Sequence, residues 1–171
     1  MRCLSRTFVA SLIVASVLAL GVGPLSAGGD EPTRISFPVT LTSQQSILEQ
    51  VGSGGERTYG WNELTGTGTT SSGDVQVQIL GNVDYVEGSG EFFGFVTLRF
   101  ASMSTLGLRM NGTATVQDDG STDLKAKLRV VGGNAAMTGA KGRGKFTGER
   151  REELGGAIEI TVTVRVRGVD A

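Results

Sequence analysis

An all-β chain closing into a single antiparallel eight-stranded barrel is the fold this sequence predicts, and three observations carry it. Apolar and polar residues alternate with period two along most of the chain, while a 3.6-residue period is scarcely visible. With no helix to cover a sheet, about eight short strands must bury their apolar faces against one another, as a barrel or a sandwich does. Glycines inside the strands, at Gly94, Gly107, Gly112 and Gly142, favour the barrel over the alternative β-sandwich, because strongly coiled strands bend at such residues.

The N-terminus has the pattern of a secretory signal. Arg2 and Arg6 precede an apolar run from Phe8 to Leu20 that is short for a membrane span, and small residues up to Ala27 offer a cleavage site. Cleavage after Ala27 would leave residues 28–171 as one secreted or periplasmic domain, with no membrane attachment and without Cys3, the sole cysteine. Strands are then expected at Arg34 to Leu41, Arg57 to Leu64, Asp74 to Leu80, Glu91 to Phe100, Leu106 to Val116, Asp123 to Val130, Gly144 to Glu149 and Ile158 to Arg167. The last is the clearest: Ile158, Ile160, Val162, Val164 and Val166 alternate with Glu159, Thr161, Thr163, Arg165 and Arg167. Gln117 to Ser121 has the chemistry of a tight hairpin. Thr65 to Gly73 is expected to be a Gly/Thr/Ser loop, and Ser43 to Val51 a helical turn stopped by Gly52-Ser53-Gly54-Gly55.

Composition excludes much. The chain has no histidine, and its cysteine precedes the expected cut, so Ser-His-Asp and Cys-His nucleophile systems and His- or Cys-ligated zinc lack their residues. Asp118-Asp119-Gly120 with Asp123 does not have the spacing of a calcium loop. Gly139 to Gly144, with Lys141 and Arg143, lacks the following Ser/Thr and helix of a phosphate-cradling loop. No metal or cofactor is expected. Charge is divided: residues 28–98 hold two Lys/Arg against nine Asp/Glu, and residues 99–171 hold twelve against eight. The basic residues sit at alternating strand positions with few aromatics beside them, so no nucleic-acid partner is expected.

Two groups of residues are candidates for function. Arg57, Tyr59, Trp61 and Glu63 share one phase of a strand, and Asp84, Tyr85 and Glu87 gather before Gly88 at a strand end; both could line a barrel mouth. The bland reading of the first group is an outer face with Trp61 packed under a loop. Glu91 to Phe100 is apolar on both faces: Phe92, Val96, Leu98 and Phe100 in one phase, Phe93 and Phe95 in the other. Phe93 and Phe95 are therefore candidates for an interaction surface, the alternative being burial by a local loop.

Leu128-Arg129-Val130-Val131-Gly132-Gly133, then Ala140-Lys141-Gly142-Arg143-Gly144-Lys145-Phe146, resembles a late segment of the dirigent and allene oxide cyclase barrel-like proteins, and Ile158 to Val164 resembles their final strand. The resemblance covers mainly residues 90–167, and Asn134-Ala135-Ala136-Met137 departs from it after the double glycine. It implies an eight-stranded antiparallel barrel with an apolar cavity, often trimeric, working without metal or diffusible cofactor. Three function classes stay open. The favoured one is a non-catalytic barrel binding a small apolar or aromatic molecule. The others are a cofactor-free cyclase, isomerase or dirigent-type guide of a reactive molecule, and a structural or adhesive module with a solid lumen. An enzyme should bury a carboxylate near an arginine or tyrosine, a binder should have a cavity with few titratable groups, and a solid barrel should have none.

Overall fold

The computed structural model describes residues 31–168; the export segment expected at residues 1–27 lies outside them. Eight strands, β1 (Thr33–Val51), β2 (Arg57–Thr70), β3 (Gly73–Val86), β4 (Ser89–Phe100), β5 (Thr105–Val116), β6 (Thr122–Asn134), β7 (Lys141–Arg150) and β8 (Ile158–Arg167), follow one another around a closed barrel. Every neighbouring pair is antiparallel, and β1 closes the ring on β8 from Thr33 opposite Val166 to Leu41 opposite Ile158. A 3-10 turn, Ala135–Met137, links β6 to β7. Gln117 to Ser121 forms the β5–β6 hairpin turn: the Gln117 amide donates to the Ser121 carbonyl and the Gly120 amide to the Gln117 carbonyl.

Alternation decides which side of the wall each residue faces. Phe37, Val39, Leu41, Val75, Val77, Ile79, Val96, Leu98, Leu106, Leu108, Met110, Leu128 and the β8 series from Ile158 to Val166 are buried in the lumen, with their neighbours in the chain turned outward. At roughly 1.5–3 kcal/mol for each large apolar side chain, this lumen is the main source of stability in a chain without a disulfide.

Two expectations are corrected. Ser43 to Val51 is strand, not a helical turn. β1 passes a bulge between Ser43 and Gln45 and continues against β2, from Gln45 opposite Glu63 to Val51 opposite Arg57. A hairpin partner for β2 outweighs a nine-residue helix too short to be stable alone, and the Gly52 to Gly55 run makes the turn. Thr65 to Gly73 is likewise not a loop: β2 runs on to Thr70 and returns as β3 at Gly73 through a tight turn, the Thr70 hydroxyl donating to the Gly73 carbonyl at 2.9 Å. Gly66 and Gly68 face the lumen there, and a β-carbon at Gly68 would collide with the Phe37 ring. Glycine in this strand makes room for neighbouring core side chains.

Candidate functional site

The lumen is not filled throughout. At the end where β7 turns into β8 it opens into a cavity of about 60 Å³, walled by Leu64, Ile79, Val83, Phe92, Met110, Leu124, Phe146 and Ile158, and rimmed by Leu154-Gly155-Gly156. The rings of Phe92 and Phe146 stack with centroids 5.8 Å apart and planes 10° from parallel. Phe92 lies across Gly112, where a β-carbon would collide with the ring. Local sequence thus shapes the floor: a glycine on β5 admits one ring, and alternation on β7 places the second beneath it.

Three polar side chains reach this apolar space. Asn62 on β2 is buried, and its Oδ1 accepts a 2.6 Å hydrogen bond from the Ser43 hydroxyl beside the β1 bulge. Arg150, the last residue of β7, is in phase with Phe146 and so points inward, only 7% exposed. Its Nε donates to the Glu152 carbonyl and its Nη2 to the Thr122 hydroxyl, both at 3.1 Å. Those acceptors are neutral, and among the described residues no carboxylate forms an ion pair with it. A guanidinium carries five N–H donors, so donor capacity remains at the pocket.

Tyr85 on β3 is the third, 2% exposed and in phase with Val83. Burial pushes its phenol up to about 12, against the pull of the nearby Arg150 charge. The phenol therefore stays protonated around neutral pH, where it can donate or accept a hydrogen bond but cannot serve as a base. In the unfolded chain Tyr85 ionises near its ordinary value of 10 and in the folded chain near 12. Its contribution to stability is intact below pH 10 and is lost as pH rises towards 12, an expected change of about 2–3 kcal/mol. Denaturant midpoints of the parent and Tyr85→Phe between pH 9 and 12 test this. The parent should lose stability more steeply, and parallel curves would contradict the burial argument.

The other sequence candidates stand elsewhere. Arg57, Tyr59, Trp61 and Glu63 share a phase, but it is the outer one; Asn62 and Leu64 take the inner. The reason lies downstream, where Gly66 and Gly68 must face inward to clear Leu41 and Phe37. Asp84 also faces outward, its Oδ1 3.3 Å from Arg57 Nε in an ion pair that lacks hydrogen-bond alignment. Glu87 sits in the β3–β4 turn with φ of 49°, exposed. Of those seven residues, Tyr85 alone enters the lumen wall of the cavity.

Phe93 and Phe95 are 40% and 53% exposed on the outer face of β4. Register sets them in a band with the first group: Ile47 lies opposite Trp61, Leu80 opposite Phe95 and Asn82 opposite Phe93. With exposed Ile47, Tyr59 and Leu80 they make an apolar stripe across β1 to β4. Polar side chains interrupt the stripe, Asn82 standing between Trp61 and Phe93, Glu63 opposite Leu80 and Asp84 opposite Tyr59.

Arg150 escaped the sequence reading, although a signal existed: two steps of alternation from the core residue Phe146 lead to it. No family model and no curated protein matches the chain. Among solved structures, the barrel is similar in fold to a pterocarpan synthase dirigent protein, with a TM-score of 0.49 and 12% identity over 91% of this chain and 100% of that one.

Proposed function

We propose that the protein is a non-catalytic binding barrel whose open end takes a small, mainly apolar or aromatic molecule carrying one anionic group. The observation that carries this reading is Arg150: a buried guanidinium at an apolar pocket, held by neutral acceptors and without a carboxylate partner among the described residues. Burying a charge unpaired is costly, and an anionic ligand group would supply the missing partner. Tyr85 and Asn62 would add neutral hydrogen bonds, and the Phe92–Phe146 pair an apolar wall. A cavity of about 60 Å³ holds a few waters or part of a ring, so an aromatic ligand would lift the Leu154–Gly156 rim as it enters.

The alternative is a cofactor-free cyclase or dirigent-type guide. Its proton-transfer version is disfavoured because no carboxylate lines the cavity and the Tyr85 phenol, protonated around neutral pH, offers no phenolate to act as a base. Guidance by shape alone would use the same pocket and is the same binding event with a reactive ligand.

Titration calorimetry with benzoate and with benzyl alcohol tests the proposal. Benzoate should bind the parent more tightly. Arg150→Met should weaken benzoate about 10- to 100-fold, the loss of a charge-assisted hydrogen bond of roughly 1.5–3 kcal/mol, while leaving benzyl alcohol unchanged. Arg150→Lys, which keeps the charge, should retain part of the preference. Equal affinity for the two probes in the parent, in a protein whose melting curve is intact, would sink the reading.

A further inference from the structure

The basic residues of the second half of the chain do not scatter over a solvated face. Register brings four of them into one row with Arg34 from the first half. Arg34 on β1 lies opposite Arg165 on β8, Arg165 opposite Arg143 on β7, Arg143 opposite Arg129 on β6, and Arg129 opposite Arg109 on β5. All five are exposed on the outer wall. Lys127 and Lys145 face each other in the adjacent row, which continues through Thr163 and Ser36, their hydroxyls joined at 2.8 Å.

Directly opposed side chains on neighbouring strands stand about 5 Å apart, where like charges repel and opposite charges would attract. The row sets four like-charge pairs in succession. Among the described residues, none of the five arginines forms an ion pair, since the three ion pairs present involve Arg57, Lys125 and Arg151. The acidic side chains keep apart from the row: Glu49, Glu63, Asp84 and Glu91 stand on the outer faces of β1 to β4, and Asp123, Glu149 and Glu159 form a row of their own on β6 to β8, six residues along each strand from Arg129, Arg143 and Arg165. A wall arranged only for stability would interleave the signs. A continuous cationic row without internal partners is complementary to a line of anions.

The geometry points to a second binding surface, independent of the pocket, for a flexible linear acidic polysaccharide bearing carboxylates or sulfates. Five consecutive strands span about 19 Å along the sheet. In an eight-stranded ring, four steps turn halfway round, so the row is convex. A flat bilayer would touch only the two or three strands at its crest, and the row presents no large apolar side chain for insertion. A flexible chain can follow the row. Single-stranded nucleic acid is also flexible, but the outward positions of β5 to β8 carry no aromatic ring on which bases could stack, and Phe95, opposite Arg109, offers one only beyond the β5 end of the row. A glycan needs charge along a line and hydroxyl or amine partners beside it. The arginines supply the first, and Lys127, Lys145, Thr163 and Ser36 supply the second.

The experiment measures binding of heparin, polygalacturonate, oligothymidylate and phosphatidylserine vesicles to the mature protein at about 0.15 M salt. The same probes are applied to the triple variant Arg129→Ser/Arg143→Ser/Arg165→Ser, and to Arg99→Ser as a control for an exposed arginine outside the row. At least one glycan should bind most tightly of the four and weaken as salt rises. Its affinity should fall at least tenfold in the triple variant and stay unchanged in Arg99→Ser. The triple variant should melt no lower than the parent, because like-charge repulsion is relieved. Three results would overturn the inference: glycan affinity equal in parent and triple variant, oligothymidylate or vesicles bound as tightly as the glycans, or no binding of either glycan. So would a salt-sensitive oligomer abolished by the triple variant, which would make a second copy the occupant.

Discussion

Phe146→Ala should lower stability by about 3–5 kcal/mol, the usual cost of truncating a buried phenylalanine. The ring is 2% exposed, lies opposite Ala126 on one neighbouring strand and Val162 on the other, and stacks on Phe92. None of these neighbours can swing into the void: Ala126 is too short, Val162 is fixed at χ1, and Phe92 rests on Gly112. The cavity, already about 60 Å³, should grow by nearly a ring. Benzene should then raise the melting temperature of the variant and leave the parent unchanged, because apolar voids of ring size bind arenes. A loss below about 1 kcal/mol in denaturant unfolding would show that the floor of the pocket is not packed as described.

Gly94→Ala is the second large effect, expected at about 2–5 kcal/mol from two sources that coincide. Gly94 has φ of 153°, a region nearly closed to residues with a β-carbon, and a β-carbon there would fall on the Leu80 carbonyl oxygen of the neighbouring strand. Relief would have to come from backbone, since Gly94 pairs with Gly81 in the middle of the β3–β4 ladder. Gly132→Ala supplies the comparison. That site has open space and no positive φ, so the substitution should be neutral or raise stability by about 0.4–1 kcal/mol. Chemical denaturation of the two variants side by side checks the contrast. Similar stabilities would mean that Gly94 is not held in its strained conformation.

Why the sequence revealed the barrel and not its pocket follows from what alternation encodes. Period two assigns each residue to one of two faces, and for β8 the choice of inner face is forced because one phase is wholly apolar. In β2 neither phase is wholly apolar. Tyr59 and Trp61 suggest one inner face, whereas Asn62 and Leu64 occupy it, for the sake of glycines further along the strand. The β1 bulge hid the continuation of that strand, since Ile47, Leu48 and Val51 fall at helical spacing once the phase slips. Tyr85 could be named because it lies at a strand end in a polar group. Its partner Arg150 is 65 positions away, and only closure of the barrel brings the two together. The arginine row is the extreme case. Every one of its members can be assigned to the outer face from its own strand, but their alignment is a property of register between strands, which no single strand contains.

The seam between β1 and β8 also governs when the fold can become complete. Seven of the eight strand pairings join consecutive segments, so each can form as a hairpin soon after its second strand is available. The eighth pairs Thr33 with Val166 and Leu41 with Ile158, contacts more than a hundred residues apart. Until Arg167 is available, β1 and β7 each expose an edge of unmet backbone donors and acceptors that another chain could extend. The ring is therefore a late-closing topology in which high contact order is concentrated in one ladder rather than shared among many. Substitutions along that ladder, at Phe37, Val39, Val162 or Val164, should act on the last step of folding, when the wall meets itself.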